Sequence, residues 1–258
     1  MLIAHISDTH IATGPLGAEP ARQLHRALGR LLALDRRPDC VVITGDVAND
    51  GTQAQYEAFR TILGSYPLPV HLVAGNHDEP KMMLSQFAGT ALFGGQDCSY
   101  YTVSYPDALL VVLDTHVPDS PAGHLDDAQL HWLAGVLDGA SSPAVVALHH
   151  PPITTGIGFL DGMGLINAAE LGEVIRSRPV VQRILAGHVH RAIVGTFAGA
   201  ITAIAPSLYR QASLTLSGAD PVSYTHEPAG ALLHLRSGEN WATHFLPTDA
   251  PGATLGYF

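Results

Sequence analysis

Five apolar runs in this chain each end abruptly in Asp, Asn or His, and no other feature constrains the fold as strongly. They are Leu2-Ile3-Ala4-His5-Ile6-Ser7-Asp8-Thr9-His10, Val41-Val42-Ile43-Thr44-Gly45-Asp46, and Pro69-Val70-His71-Leu72-Val73-Ala74 leading into Gly75-Asn76-His77-Asp78. Val145-Val146-Ala147-Leu148-His149-His150 and Ile184-Leu185-Ala186-Gly187-His188-Val189-His190 complete the set. Each apolar part has the length and composition of a buried strand. In open α/β sheets, sites form just beyond the carboxyl ends of strands. Five such ends loaded with ligand-type residues predict one convergent metal site.

The segments between the runs set the topology. Leu24, Ala27, Leu28, Leu31, Leu32 and Leu34 recur near helical spacing, which predicts a helix over 21–35, ended by Pro38. A second helix is expected over 52–63, with Thr52 as N-cap and Tyr56, Phe59, Ile62 and Leu63 on one face. This strand–helix–strand–helix–strand order implies parallel strands and right-handed crossovers. Met82, Met83, Leu84 and Phe87 mark a short helix, and 100–105 with 109–114 reads as an antiparallel hairpin across Pro106-Asp107. Helices are expected over 126–137 and 168–176, and a Gly-rich functional loop over 151–167. Segments 193–205, 213–216 and 231–235 read as short antiparallel strands. The tail 247–258 shows no usable periodicity and could lie over the site or at an interface. Without repeats, charge runs or a low-complexity linker, the chain reads as one domain, 1–258.

Bulk properties narrow the function. The chain has 13 Lys+Arg against 23 Asp+Glu, a net charge of -10, so no broad basic footprint for a nucleic acid backbone is expected. Small phosphate substrates stay open, because divalent ions would reverse the potential locally. The two cysteines, Cys40 and Cys98, form no CxxC pattern, which removes zinc-finger and thioredoxin-like readings. The first residues lack a basic n-region, and no apolar stretch reaches membrane-spanning length. The expectation is a cytoplasmic protein without membrane contact.

The ligand-type residues suit particular ions. Asp8 and His10 are two apart, so on an extended exit both would project to one side, and His188 and His190 repeat that spacing. Asp46 could bridge two ions through its two oxygens, and Asn76 offers a carbonyl oxygen. His149 and His150 face opposite ways on an extended segment, so one of the two ligates. This nitrogen and oxygen set suits Mn, Fe, Co or Zn, and seven ligands fit two ions sharing a carboxylate better than one. Asp78 reads as an orienting or capping residue, His5 as a core histidine, and Asn49, Asp50 and His116 as possible neighbours of the site.

The ordered set Asp8-Thr9-His10, Gly45-Asp46, Gly75-Asn76-His77-Asp78, His149-His150-Pro151-Pro152 and Gly187-His188-Val189-His190 resembles the calcineurin-like metallophosphoesterases. Within them it is similar to the bacterial class III cyclic-nucleotide phosphodiesterases and the related glycerophosphodiesterases. The resemblance spans residues 8–190. It implies an α/β fold, a four-layer αββα sandwich of two mixed β-sheets flanked by helices. By the resemblance, Asp8, His10, Asp46 and His190 hold one ion, and Asp46, Asn76, His149 and His188 the second. Asn76 and His77 would contact the substrate, with His77 protonating the leaving group while a metal-bridged hydroxide attacks phosphorus. The implied activity is dinuclear hydrolysis of small phosphodiesters, 3′,5′-cyclic nucleotides such as cAMP first and glycerophosphodiesters second. A phosphomonoesterase or nuclease on the same fold is the rival, whereas a non-enzymatic scaffold should show degraded ligands. Segment 152–167 is expected to wall the substrate pocket, and a homodimer or larger homo-oligomer is the implied assembly.

Overall fold

The computed structural model describes residues 1–248 apart from 217 and 219. Three parallel strands, β1 (Leu2–Ile6), β2 (Cys40–Thr44) and β3 (Val70–Val73), are linked by α1 (Ala18–Leu32) and α2 (Gln53–Leu63). Then follow α3 (Pro80–Phe87), the antiparallel pair β4 (Tyr101–Ser104) and β5 (Leu109–Val112), and α4 (Asp127–Asp138). The chain continues through β6 (Ala144–Ala147), α5 (Gly158–Asp161), α6 (Ala168–Arg176) and β7 (Val181–Ala186). It ends in β8 (Ile193–Phe197), β9 (Ala200–Ile204), β10 (Gln211–Ala212), β11 (Tyr224–Thr225), β12 (Gly230–Ser237) and β13 (Asn240–Pro247).

These strands form two large mixed sheets, ordered β13-β12-β1-β2-β3 and β4-β5-β6-β7-β9-β8. Period-2 alternation explains the layering. On the second sheet, Leu110, Val112, Val145, Ala147, Leu185 and Ala203 join the core shared with the first sheet. Their neighbours Val111, Val146 and Ile184 pack instead with Leu130, Leu133 and Leu171 of α4 and α6. Helices therefore cover outer faces while the sheets face each other, and the four expected layers are present.

Several local expectations need correction. The 151–167 segment is not all loop, because Thr155 and Gly156 bond the Asp161 carboxylate and close the short helix α5. Residues 213–216 form no strand; Gln211–Ala212 pairs with Tyr224–Thr225 instead. The β8–β9 hairpin is antiparallel as expected, but β9 joins β7 in parallel. Strand β13 had no counterpart in the sequence reading. Of the tail, 249–258 lies outside the described residues. No described helix is long and apolar enough to cross a membrane.

Candidate metal centre

The parallel strands β1, β2 and β3 and the parallel strands β6 and β7 bring their carboxyl ends to one edge. Asp8, Asp46, Asn76, His149 and His188 each stand two or three residues past a strand. Crossing between the sheets requires a close approach at Gly187, where an added Cβ would strike Ser7 Oγ, Thr44 O and Asp8 Oδ2. Gly45 has φ +92° and lies against the His149 ring, so a side chain there would be both strained and blocked.

The ligand positions share an unusual backbone. Among the described residues, seven non-glycine positions have positive φ, and five are Asp8 (52°), His10 (45°), Asp46 (49°), His188 (69°) and His190 (53°). Asp and His tolerate the left-handed region better than most residues, but such strain persists only where surroundings over-determine it. Here they do. Asp8 N–H donates to Gly45 O (3.1 Å), His10 N–H to Asp46 O (2.9 Å), and His188 N–H to the Asp8 carboxylate (3.2 Å). The i, i+2 pairs therefore do not follow the expected strand pleat. Asp8 and His10 do meet, but through left-handed turns beyond β1. His188 and His190 diverge.

Two groups of candidate ligand atoms result, each with its atoms within 4.8 Å of one another: Asp8, His10, Asp46 and His190, and His149, His150 and His188. Asp46 stands between them, its Oδ2 3.6 Å from His10 Nε2 and its Oδ1 3.5 Å from His149 Nε2. Asn76 Oδ1 lies 3.0 Å from His149 Nε2 and 2.9 Å from His188 Nδ1. His150 sits within the second group yet uses both nitrogens elsewhere, Nδ1 on Thr115 Oγ1 (2.8 Å) and Nε2 on Pro121 O (3.1 Å).

The residues present fit cations. His149 Nδ1–H donates to Thr44 O (2.7 Å) and His190 Nδ1–H to Arg210 O (2.7 Å), which turns each Nε2 into the site, that of His190 lying 3.1 Å from His10 Nε2 and 3.3 Å from Asp8 Oδ1. The lone pair of His149 meets the Asn76 carbonyl oxygen, and a cation satisfies both. His188 Nε2 is buried with no hydrogen-bond partner among the described residues.

Electrostatics set the protonation these ligands need. Burial pushes the Asp8 and Asp46 carboxyls up, but the surrounding imidazoles, His190 for Asp8 and His149 for Asp46, hold both below the ordinary range. Burial, reinforced by His190, lowers His10 to about 4, and burial with His149 lowers His188 to about 3. Carboxylates ionised and imidazoles neutral are the forms that bind metal. His190 differs: burial pulls it down, but Asp8 and Asp46 raise it overall.

Supporting residues complete the site. The buried Asp78 carboxylate accepts from Val47 N (3.1 Å), Ala48 N (3.0 Å), Gly75 N (3.0 Å) and Tyr56 OH (3.0 Å), so it locks the Asp46 and Asn76 loops together. His77 is exposed, donates its backbone N–H to Asp46 Oδ1 (2.9 Å), and uses Nδ1–H on Asn49 O (2.8 Å). Asp50 pairs with Gln55, and His5 is spent on His234 and Thr44, so both stay outside the site. His116 belongs to neither ligand group. A cavity of about 210 Å³ opens over the groups, walled by Phe159, Leu160, Met163, Val189 and Val222. The expected wall from segment 152–167 is thus supplied by its three apolar side chains. The backbone carbonyls of Thr44 and Arg210 carry no signature in composition, and neither does Ser207, whose hydroxyl donates to Asp8 O (2.8 Å) from 199 residues away.

Residues 1–192 match the calcineurin-like phosphoesterase family. The chain belongs to that family. Among its relatives, the glycerophosphodiester phosphodiesterase GpdQ of Enterobacter lignolyticus is 28% identical, covering 95% of this chain and 90% of its own. A cAMP/cGMP dual specificity phosphodiesterase of Mycobacterium tuberculosis is 31% identical, covering 96% and 84%. A dimetal phosphatase from Danio rerio shares the fold, with TM-score 0.69 at 18% identity over 96% of each chain. As a calcineurin-like phosphoesterase, this chain is a hydrolase of phosphate esters, and it carries two groups of residues that could hold metal ions.

Proposed function

We propose that this phosphoesterase hydrolyses small phosphodiesters at a pair of first-row metal ions, with 3′,5′-cyclic nucleotides as the preferred class. The observation that carries the reading is Asp46, whose two oxygens turn toward different ligand groups. Asp8, His10, Asp46 and His190 would hold one ion, and Asp46, Asn76, His149 and His188 the other. Such ions, when bound, make water a competent nucleophile near neutral pH and neutralise phosphoryl charge.

The chain's own residues do the rest. Asn49 O fixes the His77 ring through Nδ1–H, so its Nε2 carries the exchangeable proton. As an imidazolium, His77 donates that proton to the departing alkoxide, which a diester of a poor leaving group requires. The apolar wall of Phe159, Leu160 and Met163 keeps bulk water from the reacting atoms. The Mycobacterium tuberculosis relative supports cyclic nucleotides, while GpdQ supports glycerophosphodiesters as the alternative.

The test is kcat/KM of the Mn-reconstituted protein on bis(p-nitrophenyl) phosphate and on p-nitrophenyl phosphate. A diester preference is expected. A monoester preference would overturn the substrate class, and absence of metal-dependent turnover on both would overturn the activity.

A further inference from the structure

Beside the metal cavity lies a larger one of about 740 Å³. Tyr224 lines both, and its ring stands 6.1 Å from that of His190. At the junction, the Arg210 guanidinium lies over two aromatic faces, 4.5 Å from the Tyr209 ring centre and 5.5 Å from that of Tyr224. Among the described residues, Arg210 makes no ion pair, whereas nearby Arg191 is tied to Glu227 and Glu19 to Arg22. Its planar donors are therefore available to a ligand.

The placement of this pair is fixed to the metal site. Ser207 Oγ accepts from Tyr209 N–H (2.9 Å) and Arg210 N–H (3.2 Å) while donating to Asp8 O (2.8 Å). Arg210 O accepts from His190 Nδ1–H, and Tyr224 is held in register opposite Ala212. One short segment thus touches both Asp8 and His190 and carries the cation and one ring outward.

We infer that Arg210 and Tyr224 form the subsite that receives the nucleobase of a nucleotide whose phosphodiester occupies the metal cavity. The inference rests on the phosphodiesterase reading above. A 210 Å³ cavity holds a phosphodiester with little else, and a glycerol ester would leave the 740 Å³ neighbour unused. An aromatic face with an unpaired guanidinium is the combination that stacks a planar heterocycle and offers donors to its ring nitrogens and carbonyls. Gln23 also lines this cavity, and its Oε1, without a hydrogen-bond partner among the described residues, supplies an acceptor for an exocyclic amino group.

Steady-state kinetics of the Mn-reconstituted full chain on 3′,5′-cyclic AMP and on glycerophosphoethanolamine, which has no ring, test this. In Tyr224→Ala and Arg210→Ala, the ratio of kcat/KM for the cyclic nucleotide to that for the aliphatic diester should fall at least tenfold, through KM. Tyr224→Phe should restore it and Arg210→Lys should not. Equal losses on both substrates would overturn the subsite, since the residues would then merely support His190. Calorimetric titration with adenosine 5′-monophosphate separates the two readings. Should the wild type turn over neither diester, nucleotide binding weakened at least tenfold in Tyr224→Ala would uphold the subsite while the phosphodiesterase reading fails. Binding absent in the wild type, or unchanged in the variants, would overturn the subsite itself.

Discussion

His149 and His150 are neighbours in sequence and equally buried, yet one ring is half used and the other is spent. His149 gives one nitrogen to Thr44 O and presents the second to Asn76 and Asp46. His150 commits both, to Thr115 and Pro121. The same division separates the rim of the site from the core beneath it. His190 resembles His149, whereas His5 and His234 resemble His150, each bonded at both nitrogens to the other and to Thr44 or Thr243. Burial alone therefore does not mark a ligand; a buried imidazole with one anchored nitrogen and one open one does.

The comparison breaks most sharply at His149. His149→Ala should lower kcat/KM by on the order of 10³ or more, as several kcal/mol of charge stabilisation would. Elemental analysis should then find one ion fewer per chain. His150→Ala should retain both ions, and loss of an ion there would erase the distinction. Next in size is His77, exposed and anchored through Nδ1 like the site histidines. His77→Asn should cost roughly 10²–10⁴ on an alkyl diester, the range for a general acid. On a p-nitrophenyl ester, whose leaving group needs no proton, the loss should be much smaller; equal losses would deny the acid role.

Stability reports the other half of the comparison. His150→Ala empties a fully buried ring site and takes the imidazole partner from the buried Thr115 Oγ1, so denaturant titration should show a loss of about 2–4 kcal/mol. A change below about 0.5 kcal/mol would mean the ring is not structurally spent. The smallest effect is expected at His71, buried on β3 and bonded to Tyr105 OH at 2.6 Å. Burial lowers its imidazole from 6.5 to about 4. Between those values the unfolded chain binds more protons than the folded one, so stability rises with pH across that window and falls on acidification. The His71 share of the difference between pH 4.5 and 7 should be on the order of 1–3 kcal/mol, and His71→Gln should reduce the slope by that share while the part due to His10 and His188 remains. An unchanged slope in that variant would move the effect to other histidines.

What was legible in the sequence follows from how local each signal is. Asp8, Asp46, Asn76, His149 and His188 could be read because each follows its own apolar strand within three residues. The helices over 52–63 and 168–176 were legible for the same reason, since periodicity is a property of one segment. Side-chain direction past the strands was not, because the left-handed residues at His188 and His190 replace the pleat with a turn. Strand β13 escaped because its mostly exposed residues pair along one edge of the sheet and carry little apolar alternation. Arg210 and Tyr224 meet across 14 residues through the β10–β11 pairing, a contact no local pattern announces.

The Ser207–Arg210 segment bears on where this protein can be cut. A fragment ending at residue 192 would retain all seven candidate ligands and every recognisable motif. It would lack Ser207, whose hydroxyl holds the Asp8 carbonyl, and Arg210, whose carbonyl orients His190. It would also leave β1 without its partner β12, exposing a full strand edge beside the first ligand. The smallest piece able to keep its geometry is thus longer than the piece that carries its signature, and a minimal catalytic fragment must reach the end of β12 at Ser237.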